Sequence, residues 1–303
     1  MLSPNSPQSQ AIANLFNGSM LLGGLIFALV TGLTLYAAWR YRDRDEPGEP
    51  RQYAGNRRLE IAWTIAPALI VAGLFGWQFN VMRAVDPPPD RPPDVIVTGY
   101  SWWWRVEYPQ AGVVTANEIH IPVGKQVLFQ LEAADVIHNF WVPDLGPKRD
   151  MIPGIPTNTI WLAADQPGAY LGACAEYCGT QHARMRLQVI AQPQAEYDAW
   201  ISQQQAAAPA ASGDAARGAQ LFSQLTCVNC HAISGVSEAQ AGPNLSHLGS
   251  RRTLGAGVIE NTPENLARWI RNPHDFKPGV QMPSYQLSDA DVQALVTYLG
   301  SLQ

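Results

Sequence analysis

The sequence predicts a multidomain chain: a two-helix membrane hairpin, then a β-sandwich, then a small all-α domain. Three observations predict it. Two uncharged apolar runs lie within the first 82 residues, short β-branched and aromatic runs fill the middle, and a Cys-x-x-Cys-His motif sits among helical patterns near the end. At 303 residues, two or three domains are expected in place of one core. The formal charge of -5, with no basic stripe outside one short segment, argues against a nucleic-acid partner.

No charged side chain occurs in residues 1–39, and SMLLGGLIFALVTGLTLYAAW over 19–39 is almost wholly apolar. A second run, IAWTIAPALIVAGLFGWQFNVM, covers 61–82. Each is long enough to cross a hydrocarbon core of about 30 Å at about 1.5 Å per residue. A cleaved signal peptide is the competing reading of the first run, but no basic stretch precedes it and no small-residue cleavage site follows. Arg40, Arg42, Arg44, Arg51, Arg57 and Arg58 all lie between the runs. The positive-inside rule therefore puts this loop in the cytoplasm and both termini outside, in the periplasm of a bacterium. Pro67 is tolerable in a membrane helix if a neighbour satisfies the freed carbonyl. Glu60 begins the second span, where an acid is either a partner for the helix dipole or a proton-collecting group at the membrane surface. Two helices exceed what an anchor needs and suggest docking onto other membrane helices.

The stiff proline-rich connector VDPPPDRPPD ends the hairpin, assigned to 1–83. Over 93–200 the runs VIVTGYSWWWRVEY, VVTANEIHIP, KQVLFQLEA, NTIWLAA and MRLQVIA read as short strands between Pro, Gly and Asp turns. A cupredoxin-like Greek-key β-sandwich fits their size and spacing. Alternation sends Trp103 to one face and Trp102 with Trp104 to the other, so some indole is expected at the surface, for core packing cannot use both faces. An exposed ring there would suit a partner or the input of electrons.

Between the last two strands, Cys174-Ala-Glu-Tyr-Cys178-Gly-Thr-Gln-His182-Ala-Arg-Met185 gathers thiols, an imidazole, a thioether and a carboxylate. Soft donors of this kind select copper, and zinc less specifically; a Cys174–Cys178 disulfide or a structural zinc loop are the plainer alternatives. One histidine in the loop leaves the set short. His138, in Asp135-Val136-Ile137-His138-Asn139-Phe140-Trp141, is the best outside candidate, and His120 in EIHIP is taken as structural.

ISQQQAAAPAASGDA has too little hydrophobic bulk for a core, and 201–215 is expected to be a flexible linker. The domain at 216–303 contains Cys227-Val228-Asn229-Cys230-His231, the c-type haem attachment pattern: two thiols for thioether bonds and an imidazole for the iron. The remaining two of the four cysteines thus also lie in a cofactor motif, and none is left to cross-link the fold. Met282, in a Gly- and Pro-bounded loop before the last helix, is the expected sixth iron ligand, with His247 and His274 as rivals. A thioredoxin-like reading of Cys-x-x-Cys fails for want of a βαβ pattern. Thr262-Pro263-Glu264 and Ser288-Asp289-Ala290-Asp291 read as helix starts.

The hairpin, Trp102-Trp103-Trp104 with Glu107-Tyr108, Asp135-Val136-Ile137-His138, Met151-Ile152-Pro153-Gly154, the cysteine loop and the Cys-x-x-Cys-His domain together resemble subunit II of the haem-copper cytochrome c oxidases. The variant is the caa3 type, with a C-terminal class I cytochrome c domain. The resemblance covers nearly the whole chain. It implies binuclear copper, CuA, held by bridging Cys174 and Cys178, by His138, His182 and Met185, and by the backbone carbonyl of Glu176. It also implies a Mg2+ shared with subunit I through the Glu176 carboxylate, electron input at Trp102, and Glu60 at the mouth of a proton path. Haem c on Cys227, Cys230, His231 and Met282 would take electrons from cytochrome c or a cytochrome bc1-type complex and pass them to CuA, then to haem a in subunit I, where O2 becomes water and protons are pumped. Subunit III and membrane lipid are further implied partners. The family commonly has Gln-Trp-Tyr-Trp where this chain has Ser101-Trp102-Trp103-Trp104, a departure at the electron-input indole.

Two other functions remain open on the sequence: the subunit of a CuA-containing nitric oxide reductase, and a free-standing membrane-tethered electron carrier. Nitrous oxide reductase fits poorly with a two-helix hairpin. A quinol oxidase subunit would have no use for both thiols, His138, His182 and Met185.

Overall fold

The computed structural model describes residues 4–42, 48–49, 52, 54–155 and 158–303, so Arg44 and Arg51 of the basic loop lie outside the described residues. The chain divides into two units, one of residues 10–86 and one holding 87–303 with the segment 3–9.

Two long helices make up the first unit. Helix α1 covers Pro7–Arg40 and α2 covers Arg57–Val85. Both outrun the apolar segments that announce them, because the polar flanks have no helix breaker to stop them. At about 1.5 Å per residue each exceeds a hydrocarbon core of about 30 Å. Asn56 caps α2, its side-chain oxygen accepting from the amides of Arg58 and Leu59 at 3.1 and 3.4 Å. Pro67 is accommodated within the helix, and Glu60 lies in its first turn.

The second unit opens with the β-sandwich. Strands β1 (Val95–Tyr100), β2 (Trp103–Tyr108), β3 (Val113–Ala116), β5 (Val127–Ala133) and β8 (Asn158–Leu162) form one sheet in the order β3-β2-β1-β5-β8. The other contains β4 (Glu118–Pro122), β6 (His138–Trp141), β7 (Arg149–Met151), β9 (Gly168–Cys174) and β10 (Arg186–Gln192), in the order β4-β10-β9-β6-β7. The run 95–108 is thus a hairpin. Tyr100 pairs with Trp103 across its turn, and Trp102 sits in that turn. Alternation along β2 then buries Trp104, Val106 and Tyr108, which join Phe129, Phe140, Leu131 and Val189 between the sheets. Trp104 is wholly buried, whereas Trp102 and Trp103 are half-buried.

Helix α3 (Gln194–Gln204) leaves the last strand and carries into the stretch expected to be a linker. His120 stacks on its Trp200 with ring centroids 4.0 Å apart, and the ring Nδ1 meets Gln192 Oε1 at 2.6 Å, which gives this histidine a structural role. Beyond it, Ala208 and Ala211 lie on the core of the C-terminal domain. That domain is built on α4 (Asp214–Gln224), α5 (Pro263–Arg271) and α6 (Asp289–Gly300), around Phe222, Leu266, Ile270, Leu295 and Leu299. Thr262 and Ser288 cap α5 and α6 through the amides of Asn265 and Asp291.

Candidate metal centre and haem-attachment site

Strand pairing brings the distant histidine to the cysteines. Phe140 of β6 pairs with Cys174 at the end of β9, which places His138 beside the loop that joins β9 to β10. The loop is tied at both ends: the Cys174 amide donates to the Met185 carbonyl at 2.9 Å and the Ala175 amide to Asn139 O at 3.0 Å. A short 3-10 turn over His182–Arg184 then turns Met185 inward. His138 and Met185 are fully buried and both cysteines are only 5% exposed.

The two sulfurs stand 3.6 Å apart, unbonded. Around them lie His138 Nδ1 at 3.9 Å and the Glu176 carbonyl at 3.2 Å from Cys174, and His182 Nδ1 at 3.7 Å and Met185 Sδ at 3.8 Å from Cys178. Among the described residues, His138, Cys174 and Cys178 form a group able to hold a metal ion. Four donors would satisfy a single tetrahedral metal. Here two sulfurs that can be shared and four further donors give each of two metals four ligands, so the set fits a copper pair.

The two neighbouring thiols differ in protonation, and a metal would have to displace the proton that stays on Cys178. The hydrogen bond with Cys178 is the largest influence on Cys174 and holds its thiol far below the usual range; the same contact and burial hold Cys178 above it. Burial works to lower His138, but its contacts with Cys174 and Asp135 outweigh that and raise it. Its Nε2–H donates to Asp135 Oδ1 at 2.8 Å, which turns Nδ1 toward the sulfur. Asp135 is itself fixed by the amides of Ser101 and Val136, both at 2.7 Å. The sequence by itself assigns Asp135 no task; an acid three residues before a candidate ligand is the signal it offers. Gly99 completes the mount, since a Cβ there would come within 2.9 Å of the His138 ring.

The Glu176 side chain is exposed, and its carboxylate belongs to no metal-binding group among the described residues. Trp102 donates its indole N–H to the Cys178 carbonyl at 2.7 Å. Trp103 stacks on Tyr100 with centroids 4.7 Å apart.

In the C-terminal domain Cys227–Asn229 form a 3-10 turn, and the Cys230 and His231 amides both return to the Cys227 carbonyl. Both thiols are free. Burial is the main reason that His231 is held below the ordinary imidazole value, and its Nδ1–H donates to Pro243 O at 2.8 Å. That leaves a neutral ring with the Nε2 lone pair available to iron. A Cβ on Gly242 would meet this ring at 2.7 Å, so the ring sits in a backbone cradle. Free thiols, a neutral imidazole and this cradle fit a covalently held haem. Met282 is half-buried in the segment between Lys277 and α6, and Tyr285, three residues on, approaches Thr226 at the start of the cysteine turn, 3.5 Å between hydroxyls. Both ring nitrogens of His247 face carbonyl oxygens, of Gln303 at 2.8 Å and Gln204 at 3.1 Å, which occupies them otherwise.

The sandwich and the C-terminal domain meet within the same unit. Lys277 Nζ donates to the carbonyls of Trp102 at 2.9 Å and Gly255 at 3.2 Å, and Gln181 Nε2 donates to Pro278 O. Burial pulls Lys277 down to about 7, against the opposing influence of Cys178. Buried Glu118 accepts from the Arg252 and Thr253 amides, each at 2.9 Å, and the Arg186 amide donates to Ala256 O at 3.0 Å.

Comparison with known proteins agrees with this division. Family models match residues 1–80 (cytochrome C oxidase subunit II, transmembrane domain), 110–192 (cytochrome C oxidase subunit II, periplasmic domain) and 215–303 (cytochrome c). A protein of Alkalihalophilus pseudofirmus named cytochrome c oxidase subunit 2 is 38% identical over 100% of this chain and 90% of its own length. One of the same name from Bacillus sp. strain PS3 is 33% identical over 88% of this chain and 80% of its own. A quinol oxidase subunit 2 from Bacillus cereus is also 33% identical, over 71% of this chain and 76% of its own length.

Proposed function

This chain belongs to the cytochrome c oxidase subunit II family, and we propose that it takes electrons in at its C-terminal haem domain, hands them to the cysteine loop and delivers them to haem a of subunit I. It is a membrane-anchored subunit of the haem-copper oxidase complex, it associates with subunit I, and its part in the reaction is electron transfer. The supporting observation is the donor set, in which two free sulfurs lie between two imidazoles, a thioether and a carbonyl, in the same unit as the Cys-x-x-Cys-His turn. The same set speaks against quinol as the donor, since five soft side chains would then have no task.

The groups that bind, CuA and haem c, supply one-electron carriers. The chain's own residues fix them. Cys174 and Met185 hang on a backbone ladder between β9 and β10, and Asp135 keeps His138 oriented, so the donors need not move when the charge changes. His231 is locked by Pro243, Met282 would be the second side chain to hold the haem iron, and Trp102 connects the surface of the sandwich to Cys178 by its indole hydrogen bond. No open position for substrate is required, because in this reading oxygen is reduced to water in subunit I, with proton pumping.

Further assignments rest on the family resemblance. The Glu176 carboxylate is proposed to share a Mg2+ with subunit I, and Glu60 to stand at the mouth of a proton path. Both domains of the second unit are proposed to lie on the periplasmic side of the bacterial inner membrane, beside subunit III and an external donor, cytochrome c or a cytochrome bc1-type complex.

Rapid mixing of the anaerobic oxidised complex with a reduced cytochrome tests the route. The haem band should reduce first, the near-infrared copper band second, and admitted oxygen should then be consumed without comparable consumption of nitric oxide. Reduction of copper ahead of the haem would sink it.

A further inference from the structure

We propose that Lys277 is a positioning residue that seats the haem-bearing domain on the cysteine loop, its buried ammonium shared between the carbonyl oxygens of Trp102 and Gly255. This deepens the electron route proposed above and rests on it. The transfer it serves moves one electron from the ferrous haem to the oxidised copper pair, with no bond made or broken and no other reactant.

A lysine in a Gly- and Pro-rich surface loop ordinarily leaves its ammonium in water. Lys277 is only 2% exposed, and one of its two carbonyl acceptors belongs to the other domain. Burying an ammonium is unfavourable unless hydrogen bonds replace the lost water, so the side chain gains from this place only while the Trp102 carbonyl is in reach. Seating and hydrogen bonding are therefore coupled.

The position also matters. Residues 277–279 present a continuous edge to the loop: Pro278 O accepts from Gln181, and a Cβ on Gly279 would stand 3.4 Å from the Thr180 methyl. The same segment runs on to Met282. On the sandwich side Trp102 passes the contact inward, its indole N–H bonded to Cys178 O. Lys277, Trp102 and Cys178 thus form one bonded line from the segment that carries a proposed haem ligand to a proposed copper ligand. Glu118 with Arg252 and Thr253, and Arg186 with Ala256, join the domains at other points. Those contacts bear on the docking but reach no residue of the cysteine loop between Cys178 and Gln181, so bringing that edge down falls to Lys277, acting through Trp102, together with the Gln181–Pro278 bond.

The test uses the purified oxidase complex with Lys277→Met, which keeps the length of the side chain and removes its donors. Hydrogen exchange at the Arg186 and Thr253 amides, both bonded across the junction, should rise about tenfold. Electron transfer from photoreduced haem to copper should slow by about tenfold or more, with both absorption bands unchanged. Wild-type exchange rates in the variant would overturn the proposal, and so would faster exchange with an unaltered transfer rate. A wild-type complex whose reduced haem never reduces the copper would remove the electron route itself and the proposal with it. That failure is visible without any variant, which separates it from failure of the lysine.

Discussion

The cysteine loop and the Cys227–His231 turn both bring sulfur and imidazole together, and they do so in opposite ways. In the sandwich the donors come from two elements: His138 lies 36 residues before Cys174, and strand pairing between β6 and β9 closes the gap. Every donor side chain there is buried or half-buried, and Asp135 and Gly99 hold the His138 ring. In the haem domain Cys227, Cys230 and His231 fall within five consecutive residues, Cys230 is exposed, and hydrogen bonds within the turn and with the nearby Gly242–Pro243 segment shape it. The difference is between a site made by tertiary structure and one made by the chain locally. A metal held only by coordination needs preorganised ligands, whereas a haem fixed by two covalent bonds does not.

The largest effect that tests this contrast is on the shared sulfurs. Cys178→Ser should abolish the near-infrared copper band and leave the haem c spectrum intact, because a serine hydroxyl would not supply the soft thiolate donor that the copper pair would need. Optical spectra and metal analysis of the purified complex check it. A band that persists in the variant would remove Cys178 from the ligand set.

The same contrast explains what the sequence made legible. Both cysteine motifs are compact in sequence and could be read directly. His138 was reachable because a loop with one imidazole lacked a ligand. The runs that read as strands leave out β6, β7 and β9: β6 carries His and Asn, β7 is three residues long, and β9 is interrupted by glycines, so their strand character comes from the partners they pair with in the sheet. Lys277 reads in sequence as an ordinary solvated charge, since its burial is supplied by another domain. The stretch 201–215 looked like a tether because alanine cannot build a core; alanine can still lie on one, as Ala208 and Ala211 do, and Gln205 Nε2 donates to Ala111 O at 2.8 Å.

A smaller effect is expected one bond out from the metal. Asp135→Ala removes the acceptor for His138 Nε2–H and frees the ring to turn away from Cys174. Loss of such a partner weakens metal affinity by about 10–100-fold. Copper release to a competing chelator should speed accordingly, while the haem band stays unchanged. Equal release from variant and wild type would show that Gly99 and the sandwich core alone orient the imidazole.

The smallest effect falls on the haem domain. Thr262→Ala deletes the oxygen that caps α5 through the Asn265 amide, which costs about 1 kcal/mol in helices of this kind. Helix α5 packs on the core through Leu266 and Ile270, so the loss should lower the unfolding temperature of this domain by a few degrees. The copper band should melt where it does in the wild type if the sandwich makes its site independently. If it melts earlier, the junction at Glu118, Arg186 and Lys277 couples the two stabilities, and the line between a tertiary site and a local one would have to be redrawn to include the docked domain.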